Sequence, residues 1–304
     1  MERLKGRDLL SLADLSAEEV IYLLHLANDM KLGNASPRIS KVLGLLFQKA
    51  STRTRVSFSV AMYQLGGQVI DLNPESTQVS RGEPLEDTAR VLDRYLDVLA
   101  IRTFKQTDLE TIADHARIPV INALTDLEHP CQVLADLLTA QSSFGELAGL
   151  TLTYLGDGNN IAHSLLIGCA LVGVNVRVST PPDYAPLPAI VKQAQAIAKE
   201  QTEVTITTDP KAAAEGAQVL YTDVWASMGQ ESEAGDRIPI FQPYQVNEDL
   251  LAVADARAIV LHCLPAHRGE EITDGVIEGA QSRVWEQAEN RLHVQKALLA
   301  SILG

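Results

Sequence analysis

Directly after the apolar run Val42 to Phe47, the chain reads KASTRTRVSFS. In that segment Arg53 and Arg55 alternate with the hydroxyls of Ser51, Thr52 and Thr54. The apolar run reads as a buried strand and the residues beyond as a helix, so the charge falls on the turn between them. A helix start already offers unpaired N–H groups and the positive end of its dipole. Guanidiniums and hydroxyls added there suit a doubly negative group, phosphate first. Taken alone, the segment reads equally well as a helix cap with two solvated arginines.

Ligands of parallel α/β sheets sit at the carboxyl ends of strands, and further polar clusters fall at such ends. They are Arg102 in Ile-Arg-Thr-Phe, the stretch from Asp126 through His129-Pro-Cys to Gln132, and Gly156-Asp-Gly-Asn-Asn160. Two more are Asp223-Val-Trp-Ala-Ser-Met-Gly229 and His262-Cys-Leu-Pro-Ala-His-Arg268. Each has a plain reading: His129-Pro130 as a helix start, Trp225 and Met228 as packing, Cys263 as inert core. Those readings fail collectively, because six strand ends of one chain carry dense polar clusters. Cys131 and Cys169 stay in the inert class. In Gly156-Asp-Gly-Asn-Asn-Ile the third glycine of a dinucleotide fingerprint is replaced by Ile161, and no acidic residue closes the next strand. A nicotinamide cofactor is disfavoured. His262, Cys263 and His267 lack the matching second cluster of a zinc site.

Hydrophobic periodicity supplies the elements that must hold these clusters. Strands are expected at 42–48, 68–72, 98–104 and 120–124, then at 151–156, 175–180, 203–207, 219–224 and 258–263. Helical patterns fall at 53–65, 85–97, 108–116, 130–141, 161–172, 187–200, 245–254 and 282–303. This alternation predicts α/β architecture with two doubly wound domains, each a mostly parallel sheet flanked by helices. The pattern breaks at 142–149, and the last helix, following a completed second sheet, is expected to return to the first domain.

The 304 residues are long for a single core. Hydrophobic residues at 46% and charged ones at 21% describe an ordinary globular protein. A net charge of -14 argues against nucleic acid, whose binders need a basic face. No apolar run reaches the roughly 20 residues of a membrane span, and the N-terminus lacks a signal-peptide core. Three widely spaced cysteines form no disulfide framework. A reducing cytoplasm is the expected compartment.

These motifs resemble those of the aspartate/ornithine carbamoyltransferase family, over nearly the whole chain. The carriers are Ser51-Thr-Arg-Thr-Arg55, Arg102, His129-Pro-Cys-Gln132, Asp223 through Ser227-Met-Gly229, His262-Cys-Leu-Pro265 and Ala288-Glu-Asn-Arg291. Ser227-Met-Gly229 together with His262-Cys-Leu-Pro265 marks the ornithine branch. The resemblance implies a carbamoyl-phosphate domain at 1–141, with helix 282–304 packed back on it, and an ornithine domain at 149–281. It implies a homotrimer with sites at or near subunit interfaces, no cofactor and no metal.

By the same resemblance, carbamoyl phosphate is held by Ser51, Thr52, Arg53, Thr54, Gln78, Arg102, His129, Gln132 and Arg291, with the carbonyls of Cys263 and Leu264. A cis Leu264–Pro265 bond is implied there. Asn160, Asp223, Ser227 and Met228 would hold ornithine. Arg102, His129, Asp223 and Cys263 would be catalytic. The implied reaction carries the carbamoyl group to the δ-amine of L-ornithine, giving L-citrulline and phosphate. Its chemistry suits these residue types. Departing phosphate and a tetrahedral oxyanion need cations and N–H donors, and an alkyl amine of pKa about 10.4 must lose a proton before it attacks. Aspartate, putrescine or acetylornithine could replace ornithine as acceptor, and a non-catalytic phosphate-ligand binding protein is the alternative of another class.

Overall fold

Parallel strands paired in register set the positions of every cluster named above. The computed structural model describes residues 4–49, 51–73, 82–226 and 233–304, with the backbone alone at 234. Its strands are β1 (Val42–Phe47), β2 (Gln68–Leu72), β3 (Val98–Arg102), β4 (Val120–Leu124), β5 (Thr151–Leu155), β6 (Asn175–Ser179), β7 (Val204–Thr207), β8 (Val219–Thr222) and β9 (Ile259–His262). All nine lie where the periodicity expects them. The helices are α1 (Ala17–Lys31), α2 (Thr52–Gln64), α3 (Leu85–Leu92), α4 (Gln106–His115), α5 (Pro130–Phe144) and α6 (Asn160–Val172). After them come α7 (Pro188–Ile197), α8 (Pro210–Ala214), α9 (Ala234–Phe241), α10 (Glu248–Leu251), α11 (Asp274–Ile277) and α12 (Val284–Leu303).

The chain divides into two compact units, one of residues 1–135 with 290–304 and the other of residues 136–289. It passes between them inside α5 and inside α12. The first unit holds a four-stranded sheet in the order β2-β1-β3-β4, the second a five-stranded sheet in the order β7-β6-β5-β8-β9. Every strand pair is parallel. In the first sheet the winding reverses between β1 and β3, in the second between β5 and β8. Such switch points open a crevice at the carboxyl ends of the strands. Phe47 pairs with Arg102 there, and Arg102 with Leu124. In the second sheet Leu155 pairs with Thr222, and Thr222 with His262. The loops at Gly156, Asp223 and Cys263 therefore begin side by side.

Central strands buried on both faces account for the Val/Leu/Ile runs. Leu45, Leu99, Ile121, Leu155, Leu220 and Leu261 are all fully buried. α6 is buried all round from Ile161 to Val172, as its uniformly apolar sequence requires. In the first unit the end of α12 packs back: Gly6 N donates to Ile302 O at 3.0 Å and Lys296 Nζ to Gln64 Oε1 at 2.9 Å.

Several helices differ from expectation, and the periodicity does not pick out the short helices α8, α9 and α11. α1 was not among the expected helices, although Ser16 and Glu19 form a capping box at its start. The helix expected at 85–97 ends at Leu92, whose carbonyl accepts from both Tyr95 N and Leu96 N in a tight turn into β3. The helix expected at 245–254 shrinks to α10, because Val246 bridges to Ile272 and the cap Asn247 starts the helix behind it.

Gly158, in the loop after β5, has no room for a side chain. A Cβ there would lie 2.3 Å from Pro186 N and 2.5 Å from Tyr184 O, both backbone atoms. Gly158→Ala should lose about 1–3 kcal/mol of stability, read as a lower midpoint in chemical denaturation. An unchanged midpoint would show that this loop yields freely.

Candidate active site

In the first unit a buried guanidinium gathers the polar groups. Arg291, on α12, donates from Nη2 to Thr54 Oγ1 at 2.6 Å and from Nη1 to His129 Nε2 at 3.2 Å. Nη1 also donates to Gln132 Oε1. Arg291, Thr54, His129 and Gln132 are all buried. Because Arg291 donates to Nε2, the neutral His129 ring carries its proton on Nδ1. Burial, and then the charges of Arg291, Arg102 and Arg53, hold its pKa well below the ordinary 6.5. A neutral imidazole of this kind can donate to a developing oxyanion without titrating near neutral pH.

Ser51 stands at the start of α2 without capping it, and its hydroxyl instead accepts from Arg102 Nη1 at 3.2 Å. Arg102 ends β3, so one contact ties two neighbouring strand ends at the switch point. Thr52 and Arg53 are exposed on the first turn of α2. Arg55 turns elsewhere: it pairs with Asp71 of β2 and lies over the Phe47 ring, 5.1 Å from its centroid. Of the two arginines in the opening motif, Arg55 is thus engaged by β2, and Arg53 stays on the exposed first turn of α2. Cys131 is inert, with burial pushing its thiol up to about 12. Cys169 is likewise raised by burial.

The second unit assembles a different chemistry. Asp223, just after β8, accepts from Cys263 Sγ at 2.8 Å and from Val224 N at 2.8 Å on Oδ1. Its Oδ2 accepts from Asn159 Nδ2 at 3.1 Å. Asn159 in turn caps α6 by accepting from Ile161 N and Ala162 N, which leaves Asn160 as the first residue of that helix. Cys263 is set by its neighbour. Leu264 N donates to His262 Nδ1 at 2.8 Å, so the His262 proton sits on Nε2, 2.9 Å from Glu271 Oε1. The His262 N–H donates to Gln287 Oε1 at 2.9 Å. Leu264 holds φ at +59°, a region costly for a residue with a side chain. The Leu264–Pro265 bond is cis, as the resemblance implies. Asp223, His262 and Cys263 offer donor atoms within 4.8 Å of one another, yet both His262 nitrogens are engaged. The group is a hydrogen-bonded set.

Gln78, Ser227 and Met228 lie outside the described residues. Ser51, Thr52, Arg53, Thr54, Arg102, His129, Gln132 and Arg291 belong to the first unit, and Asn160, Asp223, Cys263 and Leu264 to the second. Several residues that build the site were not expected. Asn159 holds Asp223, and its place before the apolar run of α6 is a readable cap signal. Glu271 and Gln287 fix His262 from a distance in sequence, with no local signal. Arg237 donates to Asp157 Oδ2 at 2.8 Å and Trp225 O at 2.6 Å, tying the loop after β5 to the loop after β8.

A family model for the carbamoyl-phosphate-binding domain of aspartate/ornithine carbamoyltransferase matches residues 7–142. A second model, for the Asp/Orn-binding domain, matches residues 148–302. The chain belongs to the aspartate/ornithine carbamoyltransferase family. It is 75% identical to the ornithine carbamoyltransferase of Thermosynechococcus vestitus, covering 100% of this chain and 98% of that one. Against the ornithine carbamoyltransferase of Synechocystis it is 67% identical, covering 100% and 99%. Among solved structures, it is similar to the ornithine carbamoyltransferase of Pyrococcus furiosus, with a TM-score of 0.95 at 49% identity and coverage of 99% and 98%. The Gloeobacter violaceus structure gives a TM-score of 0.91 at 58% identity, covering 99% and 100%. The boundary between the two models separates Ser51, Arg102 and His129 from Asn160, Asp223 and Cys263, while Arg291 falls within the second model although its stretch of chain joins the first unit.

The low pKa of His129 makes stability depend on pH in one direction. The unfolded chain takes up a proton on this residue below about pH 6.5, and the folded one resists it. Stability from this residue is therefore complete above pH 6.5 and declines as pH falls, by up to about 1.4 kcal/mol per unit. In His129→Gln the decline between pH 6.5 and 5.5 should be shallower, as measured by urea unfolding. Identical slopes would contradict the neutral assignment.

Proposed function

We propose that this chain transfers the carbamoyl group of carbamoyl phosphate to the δ-amine of L-ornithine, releasing L-citrulline and phosphate. The observation that carries the choice of acceptor is the Cys263–Asp223 contact beside Asn159. A buried carboxylate coupled to a thiol suits a cationic amino acid that must surrender a proton. A dicarboxylate acceptor such as aspartate would call for cations, and the arginine tied to these loops, Arg237, is engaged by Asp157.

In this reading Ser51, Thr52, Arg53, Thr54 and Arg102 bind the phosphate, aided by the N–H groups and dipole at the start of α2. Arg291 orders the set, and Gln132 with the carbonyls of Cys263 and Leu264 holds the carbamoyl NH2. Asn160 and Asp223 grip the amino-acid end of ornithine, joined by Ser227 and Met228, and Gln78 reaches carbamoyl phosphate. The δ-ammonium releases its proton through Asp223 and Cys263. The neutral nitrogen then attacks the carbonyl carbon, Arg102 and the Nδ1–H of His129 stabilise the oxyanion, and phosphate departs as the C–O bond breaks, taking up the second proton that the attacking nitrogen gives up. We assign carbamoyl phosphate to 1–141 with 282–304 and ornithine to 149–281, in a homotrimer working in the cytoplasm. No helix among the described residues is long and apolar enough to cross a membrane.

A product assay with ornithine, aspartate, putrescine and acetylornithine in parallel tests the assignment. Citrulline should be the dominant product, and a preference for any other acceptor overturns it. Within the ornithine reaction the two halves should separate kinetically. Arg53→Ala should raise KM for carbamoyl phosphate about ten- to a hundredfold, the loss of one charge-assisted bond. Asp223→Asn should raise KM for ornithine while leaving carbamoyl-phosphate binding unchanged, as read by calorimetry.

A further inference from the structure

Beside His129 lies a carboxylate that the proposed reaction does not use. Glu128 is buried to 1% exposure, and its partners come from the other end of the first unit's chain. Ser11 Oγ donates to Oε1 at 2.5 Å and Leu12 N to Oε2 at 3.2 Å. Both belong to the 3-10 turn Leu12–Asp14 and its cap, itself closed by a capping box between Ser11 and Asp14. That turn is fixed to the sheet. Leu9 N donates to Val120 O at 2.9 Å, Asn122 N to Leu9 O at 2.8 Å, and Asn122 Nδ2 to Leu10 O at 2.9 Å.

The backbone of Glu128 is held as tightly. Thr125 N donates to Glu128 O at 3.0 Å, and Glu128 N donates to Thr125 Oγ1 at 3.2 Å. The next residue is His129, whose carbonyl accepts from Gln132 N and Val133 N and so opens α5. The imidazole thus meets Arg291 on one side, while its main chain is set by a turn whose carboxylate is anchored on residues 11 and 12. A buried carboxylate is costly unless its oxygens are satisfied. Packing alone would be met by an apolar side chain, so the carboxylate calls for another reason.

We propose that Glu128 and Ser11 are positioning residues for His129, an anchor from the N-terminal turn that aims the imidazole at the carbamoyl carbonyl. The proposal rests on the catalytic role given to His129 above. An imidazole that acts on the oxyanion, and not on ground-state phosphate, loses transition-state stabilisation when displaced. Kinetically that lowers kcat with KM for carbamoyl phosphate little changed.

The experiment uses the full-length protein and compares Ser11→Ala, Ser11→Thr, Glu128→Gln and His129→Gln, each checked for folding by thermal unfolding. Ser11→Ala and Glu128→Gln should lower kcat roughly tenfold or more, as a small misplacement of a reacting group does, with KM for carbamoyl phosphate within about twofold. Ser11→Thr keeps the hydroxyl and should retain activity. Adding Ser11→Ala to His129→Gln should lower kcat no further, because the anchor acts through the imidazole. If His129→Gln itself leaves kcat intact, the catalytic reading of His129 fails. If it lowers kcat while Ser11→Ala does not, or if the double variant shows the product of the two separate losses, the positioning role is overturned. Should Glu128→Gln fail to fold, the Ser11 variants decide alone.

Discussion

A guanidinium removed from water must find acceptors, and Arg291 finds them on two other elements at once. Its donors reach Thr54 on α2 and the pair His129 and Gln132 at the start of α5. A buried arginine short of partners costs several kcal/mol, so these contacts constrain where α2, α5 and α12 lie relative to one another within the first unit. They also orient each acceptor, turning the His129 proton to Nδ1. One buried charge, placed by the last helix, thereby organises the groups assigned to carbamoyl phosphate.

The second unit solves a related problem with neutral and anionic groups. Asp223 is stabilised by hydrogen bonds from Cys263, Asn159 and its own neighbouring backbone. Such charge-assisted bonds are the strong ones. Cys263 is presented by a backbone turn that depends on His262, whose ring is clamped between Leu264 N and Glu271. Each layer fixes the rotamer or tautomer of the one before it, as supporting groups must if a reacting atom is to be held in place.

The nine strands were legible because a buried parallel strand is a short apolar run bounded by polar turns. The site motifs were legible because chemistry concentrates at strand ends in such sheets. α1 carried its signal too, in the Ser16–Glu19 capping box and the buried stripe Val20, Leu23, Leu24, Ala27 and Met30. It precedes the first strand, outside the alternation that makes the other helices conspicuous. What could not be read was the supporting layer. Glu271, Gln287 and Ser11 look like surface residues in sequence, and only tertiary structure brings the first two against His262 and Ser11 onto Glu128, the residue before His129. The fate of Arg55 was hidden for the same reason, since its partner Asp71 lies on a neighbouring strand.

The division of the chain has a consequence for the order in which the molecule can be made. The second unit is one continuous stretch, whereas the first joins residues 1–135 to residues 290–304. Thr54 and Arg291, which meet at 2.6 Å, are 237 positions apart. Domains fold as units while synthesis proceeds at roughly 5–20 residues per second, so residues 136–289 have all been synthesised before the first unit receives its last helix. The half that begins first on the ribosome is the half that finishes last. Until α12 arrives, Thr54, His129 and Gln132 wait without their shared donor, and the order of these side chains is the last thing the first unit acquires.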